Sequence, residues 1–194
     1  MDLKRYRKLM EEHLGEELYR HSLGVAETAE RLAGRYRADC RRAYLAGLLH
    51  DYGKACTREE LCRKAELYGL QLDRITLAER RLLHAPVGAA LLRHELGLSD
   101  PAVLRAVAYH TTGHEKMSLL DKVIYLADMI EPGRDFGGVE KLRELAQVSL
   151  DAALLAAVNL TIASVIRRGF PLHPRSVYFR NSLLAGLKEK ENGG

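Results

Sequence analysis

The chain has 194 residues, 47% of them hydrophobic and 29% charged, with a formal net charge of +4. That balance excludes a disordered chain, and the length suits a single domain whose core needs no disulfide or structural metal. The mild positive charge suits a polyanionic ligand but falls short of a nucleic-acid footprint unless the basic residues cluster.

The first segment, MDLKRYRKLMEEHL, is charged throughout and lacks the apolar centre of a signal peptide. Helical spacing of apolar residues follows at Val25, Ala29 and Leu32, and again at Leu120, Val123, Ala127 and Ile130. Thr57-x-x-Glu60, Thr76-x-x-Glu79 and Ser118-x-x-Asp121 have the form of capping boxes, and Asp100–Pro101 puts a good N-cap before a first-turn proline. His84 lies two residues before Pro86, where another helix is expected to begin. Glu131–Asp135 carries a proline and a glycine and reads as a mobile loop. The most apolar stretch, Ala152–Ile166, is short for a bilayer span and contains Asn159 and Thr161. Alternation of period two is missing, so the chain reads as all-α, roughly ten helices in one bundle. Cys40, Cys56 and Cys62 form no CxxC pair, which argues against a disulfide framework or thiolate zinc site and fits a reducing, cytoplasmic setting.

The apolar run Leu45, Ala46, Leu48, Leu49 leads straight into His50–Asp51, with Gly53 and Lys54 next. A buried helix that ends on an imidazole and a carboxylate asks for a partner, either a cation or solvent at the helix terminus. Asp128 raises the same question inside LLDKVIYLADMI, where Asp121, Lys122 or Arg134 are alternative ion-pair companions. His21, His84 and His110 sit on further helical segments beside turn residues. Spacing alone does not separate these three from His13, His94, His114 and His173.

The order His21, His50–Asp51, His84, His110, Asp128 resembles the HD-domain metal-dependent phosphohydrolases. More narrowly, HSLGVAETAERLA, AGLLHDYGK, HAPVGA, YHTTG and YLADMIEPGRDF resemble the YqeK-type group, bacterial hydrolases that cleave diadenosine tetraphosphate symmetrically. The resemblance covers about residues 19–136. A looser match, PLHPRSVYFRN, departs from the group's usual tail pattern. It implies a single HD domain over residues 1–194, with its core at 19–136 and helices within 138–188 packed on it.

On the same resemblance, His21, His50, Asp51 and Asp128 would hold one metal ion. Asp51, His84 and His110 would hold a second, with Asp51 bridging. Imidazole and carboxylate donors without thiolate suit transition metals better than calcium. The resemblance points to iron, with manganese, cobalt or nickel as alternatives, and to a metal-bridging hydroxide as nucleophile. Asp51 and Lys54 would be catalytic. Phosphate and nucleoside contacts would come from Lys54, His84, His110, Thr111, Thr112, Gly113, Arg134, His173 and Arg180. Tyr52, Tyr109 and Tyr125 are pocket-lining or packing residues, and His114 lies near enough in sequence to serve as an acid.

The expected reaction gives two ADP from one dinucleoside polyphosphate, without nucleic acid or membrane. A homodimer is compatible with such a domain, although no residue specifies one. Alternatives are a one-metal HD nucleotidase acting on a mononucleotide or alarmone, and a non-catalytic nucleotide-binding HD module.

Overall fold

The computed structural model describes residues 3–192, and every regular element among them is helical. Eleven helices follow in order: α1 Leu3–His13, α2 Glu16–Tyr36, α3 Cys40–Leu49, α4 Arg58–Leu67, α5 Arg74–Ala78 and α6 Arg80–His94. The rest are α7 Pro101–Tyr109, α8 Leu119–Ile130, α9 Val139–Leu145, α10 Leu150–Arg167 and α11 Pro174–Asn192. A short 3-10 turn, Tyr52–Ala55, joins α3 to α4. The all-α expectation holds, and the helix beyond the rough count of ten is the five-residue α5.

Local sequence sets most of the helix starts. Thr57 and Ser118 close full capping boxes with Glu60 and Asp121, so two amide groups are satisfied at each end. Asp100 accepts from the Ala102 and Val103 amides ahead of α7. The box expected at Thr76 does not form. Asp73 caps α5 instead, and Thr76, one turn in, donates its hydroxyl to Asp73 at 2.8 Å. Pro86 also departs from expectation, lying inside α6 rather than at a helix start. Six residues of helix precede it, so its missing N–H costs one ladder bond within an otherwise buried element.

Packing brings these helices around a single hydrophobic cluster that runs from Tyr6 on α1 to Leu183 on α11. The tightest pairing is α2 against α3. A Cβ on Gly47 would lie 2.8 Å from the Ala26 Cα, and Ala26, Ala29, Ala43 and Ala46 keep the two axes close. Helix α8 is apolar on most sides because it lies against α2, α3, α7 and α10. This central pair and α8 deliver His21, His50–Asp51 and Asp128 to one place. Helix α10 extends the apolar stretch to 18 residues, long and apolar enough by length and composition to cross a membrane. In this fold it packs on α8, α9 and α11, with 28% of its residues buried.

The C-terminal region is bolted to α5. His173 Nε2 lies 2.8 Å from Asp73 Oδ2 and 3.2 Å from the Thr76 hydroxyl, and His173 Nδ1 accepts from the Arg175 amide. Burial alone would raise the Asp73 pKa, but the Thr76 amide and His173 outweigh it and hold the carboxyl well below the usual range. A depressed carboxyl contributes stability above its unfolded value, about pH 4, and loses it as pH falls toward the folded value. Asp73→Ala should therefore lower unfolding stability by about 1 kcal/mol at pH 7, as expected for a lost N-cap. In urea titrations the gap from the parent protein should close below about pH 4.

Candidate metal centre

Six donor side chains from five parts of the chain converge. His21 comes from the second turn of α2, His50 from the C-terminal cap of α3, and Asp51 from the start of the 3-10 turn. His84 projects from α6, His110 caps α7, and Asp128 lies in the last turn of α8. Asp51 sits at the middle with neither oxygen exposed. Its Oδ2 is 3.2 Å from His50 Nε2 and 3.7 Å from His21 Nε2. Its Oδ1 is 3.2 Å from His84 Nε2 and 3.6 Å from His110 Nε2. Asp128 Oδ1 closes the first side, 3.0 Å from His21 and 3.8 Å from His50. One Asp51 oxygen thus faces His50 and His21 and the other faces His84 and His110.

The outer ring nitrogens explain why every Nε2 points inward. His50 Nδ1 donates to the Gly47 carbonyl and His110 Nδ1 to that of Val107, both at 2.7 Å. His84 has a longer contact, 3.4 Å, to the Arg80 carbonyl. His21 alone uses a carboxylate, Glu131 Oε1 at 3.0 Å. With Nδ1 holding the proton, each Nε2 presents a lone pair to the centre.

Such an array is poorly balanced by its own members. His50 Nε2 and both Asp51 oxygens are buried without a well-aligned hydrogen bond, although the Lys54 ammonium comes within 2.7 Å of Oδ2. His84 and His110 bring their Nε2 atoms to 3.2 Å. Donors about 2.1 Å from a common ion lie about 3.0–3.4 Å from one another, close to the spacing seen here. Three overlapping trios can each hold an ion: His21–His50–Asp51, His50–His110–Asp128 and Asp51–His84–His110. Buried imidazole–carboxylate clusters of this kind suggest divalent metal binding.

Electrostatics keep Asp51, Asp128 and His84 in ligand form, whereas at His21 the lowering effect of burial is outweighed by Asp128 and Glu131, which raise its pKa. Burial would raise the Asp51 pKa, but the surrounding His50, His110 and His84 outweigh it and hold its carboxyl well below the usual carboxylate range. Asp128 is likewise held down, with His21, His50 and Arg134 overcoming burial. Burial, then the neighbouring His110 and Lys54, push His84 down to about 4, so its imidazole is neutral at pH 7.

The remaining sequence candidates divide. Arg134 pairs with Asp128 and donates from Nε to the Asp128 carbonyl at 2.7 Å. Asp121 and Lys122 are committed elsewhere, to Ser118 with Arg105 and to Asp151. Thr111 lines a cavity beside His110, with Tyr125 and Lys54. Thr112 and Gly113 turn away: the Thr112 carbonyl accepts from Ser176, and Gly113 abuts the Phe179 ring. His173 has both ring nitrogens engaged with Asp73, Thr76 and Arg175. Arg180 is bound to Asn159, tying α11 to α10. Tyr52 stacks on His13, and Tyr109 packs with His114 on a groove shared with Tyr68 and His94. Neither Tyr109 nor His114 lines the cavity at His110.

Glu131 was not legible as a site residue. It is 5% exposed and also accepts from the Gly133 amide at 2.6 Å. A Cβ on Gly24 would lie 2.6 Å from its Oε2, so α2 carries a glycine where the carboxylate packs. Arg143 braces the 131–135 segment, which the sequence marks as a loop, by donating to the carbonyls of Ile130, Glu131 and Arg134. The signal available in sequence was an acidic residue directly after the last turn of α8, which spacing could not connect to His21, 110 positions away. Glu131→Ala should weaken metal affinity about 10- to 100-fold, measured by competition with a chelator, because His21 loses the partner that fixes its tautomer.

Comparison with known proteins agrees with this geometry. The HD domain family profile matches residues 18–133. A symmetrical bis(5′-nucleosyl)-tetraphosphatase from Halalkalibacterium halodurans is 42% identical over 93% of this chain and 96% of its own length. The enzyme of the same description from Bacillus subtilis is 38% identical over 91% of this chain and 95% of its own. A crystal structure from Clostridium acetobutylicum, described as an HD superfamily hydrolase involved in NAD metabolism, superposes with a TM-score of 0.91. It is 40% identical and covers 95% of this chain and 98% of its own. With the profile spanning more than half of the residues and relatives of matching length, the chain belongs to the HD-domain family.

Proposed function

We propose that this protein hydrolyses diadenosine tetraphosphate at its central bridge, giving two molecules of ADP. The observation that carries the reading is the buried Asp51 with imidazoles on both of its oxygens. The symmetrical tetraphosphatases to which the chain is similar over nearly their whole length support the substrate. Two transition-metal ions would be held by His21, His50, Asp51 and Asp128 and by Asp51, His84 and His110. Iron is the first expectation, with manganese, cobalt or nickel as alternatives. When bound, such ions supply an activated water near neutral pH and neutralise charge on phosphoryl oxygens.

The side chains supply the rest. Lys54, whose ammonium lies beside Asp51, is placed to balance charge on the phosphoryl group under attack. Arg134, whose Nε and Nη2 are engaged with Asp128, has its Nη1 left to meet the neighbouring phosphate. Thr111 presents a hydroxyl at the cavity wall next to His110. Water adds to one central phosphorus, the bridging P–O bond breaks, and the oxygen of that bond leaves with the second ADP. The helices from α1 to α11 act as a single domain in this reading.

The test is anaerobic purification, metal analysis, and product analysis after incubation with diadenosine tetraphosphate. About two metal ions per chain and ADP as sole product support the proposal. One ion per chain, or AMP with ATP, would sink it.

A further inference from the structure

Symmetrical cleavage makes a particular demand on a site. The bond broken lies at the middle of the ligand, so an equal nucleotide half must extend to each side of the metal centre. Two cavities flank that centre. One, of about 310 Å³, lies beside His84, His110 and Tyr125. The other, of about 930 Å³, opens between the first turns of α2 and the 131–134 segment, beside His21 and Arg134. Lys54 lines both. Both volumes lie in or near the range of small-molecule sites.

We infer that the second cavity is the subsite for the second nucleotide half, its phosphates inward and its nucleoside outward. The inference rests on the reading above and adds a location that the metal ligands do not specify. Charge is distributed along the cavity in the required order. Lys54 and Arg134 stand at the inner end, in contact with Asp51 and Asp128. Glu16, Glu17 and Glu27 line the exposed remainder, where Arg20 pairs with Glu16 at 2.7 Å and leaves the carboxylates in excess. Carboxylates repel further phosphate but accept hydrogen bonds from ribose hydroxyls and an adenine amino group. A single nucleoside past the last phosphate fits that order, and a longer phosphate chain does not.

Adenosine 5′-tetraphosphate tests this directly, because it carries the same phosphate chain with one nucleoside instead of two. Central cleavage of it gives ADP and pyrophosphate. The parent enzyme should show a KM for diadenosine tetraphosphate about tenfold lower than for adenosine 5′-tetraphosphate. Gly15→Trp should erase that difference. A Cβ at Gly15 meets nothing within 4 Å, and the extended backbone there, φ −65°, accepts any side chain, so an indole can be placed on the cavity wall that Gly15 lines. Glu27→Lys, on the exposed side of α2, should have the same effect without adding bulk at the helix start. In both variants the ratio of the two KM values falls to about one while kcat on diadenosine tetraphosphate stays within about twofold.

Survival of the tenfold preference in both variants overturns the subsite. Failure of the parent enzyme to make ADP from diadenosine tetraphosphate overturns the function instead, and is seen before any variant is made.

Discussion

Asp51→Asn is expected to bind fewer than one metal ion per chain and to lose about a thousandfold or more in kcat/KM on diadenosine tetraphosphate. The amide keeps the shape of the carboxylate, so packing around residue 51 is preserved. It removes the anionic charge and leaves only one oxygen where two face opposite sets of imidazoles. One side of the centre then meets an N–H₂ group, which donates and cannot ligate. Metal analysis separates this from a folding defect, and circular dichroism should show parental helicity. Retention of two ions and of turnover would show that Asp51 does not bridge.

Gly53→Ala should be strongly destabilising. Its Cβ would collide with the His84 carbonyl oxygen and come within 3.1 Å of the carbonyl carbon and 3.2 Å of the Gly88 Cα. All three are backbone atoms of α6 and cannot rotate aside. The 3-10 turn would have to lift off α6, which should cost about 2–3 kcal/mol as overpacking does elsewhere. The same movement pulls Asp51 from His84, now 3.2 Å apart, so metal affinity should fall together with stability. Gly88→Ala meets the contact from the other side at 3.0 Å and should be milder, and Gly137→Ala, with nothing within 4 Å, should be close to neutral. Urea midpoints and metal titration on the three variants would rank them. Equal stability would mean that the close approach is not needed.

These expectations come from different levels. The all-α class, the caps at Thr57, Asp100 and Ser118, and the buried run into His50–Asp51 were legible in the sequence. Each rests on neighbours within a turn or two, and local chemistry is written out in order along a chain. The six convergent donors were legible only through a motif order, since eight histidines offer many subsets of equal standing.

Long-range packing decided the rest. Thr76 looked like a cap until Asp73, tied to His173 across 100 positions, took that role. Thr112 and Gly113 looked like a phosphate cradle until α11 docked behind them. Glu131 looked like the start of a free loop until Gly24 on α2 made room for its carboxylate and His21 turned to meet it. Local patterning marks most of the helical segments and the residues capable of binding a metal. Only the tertiary structure decided which of them point inward and what lies behind each, because those contacts join residues that local periodicity cannot relate.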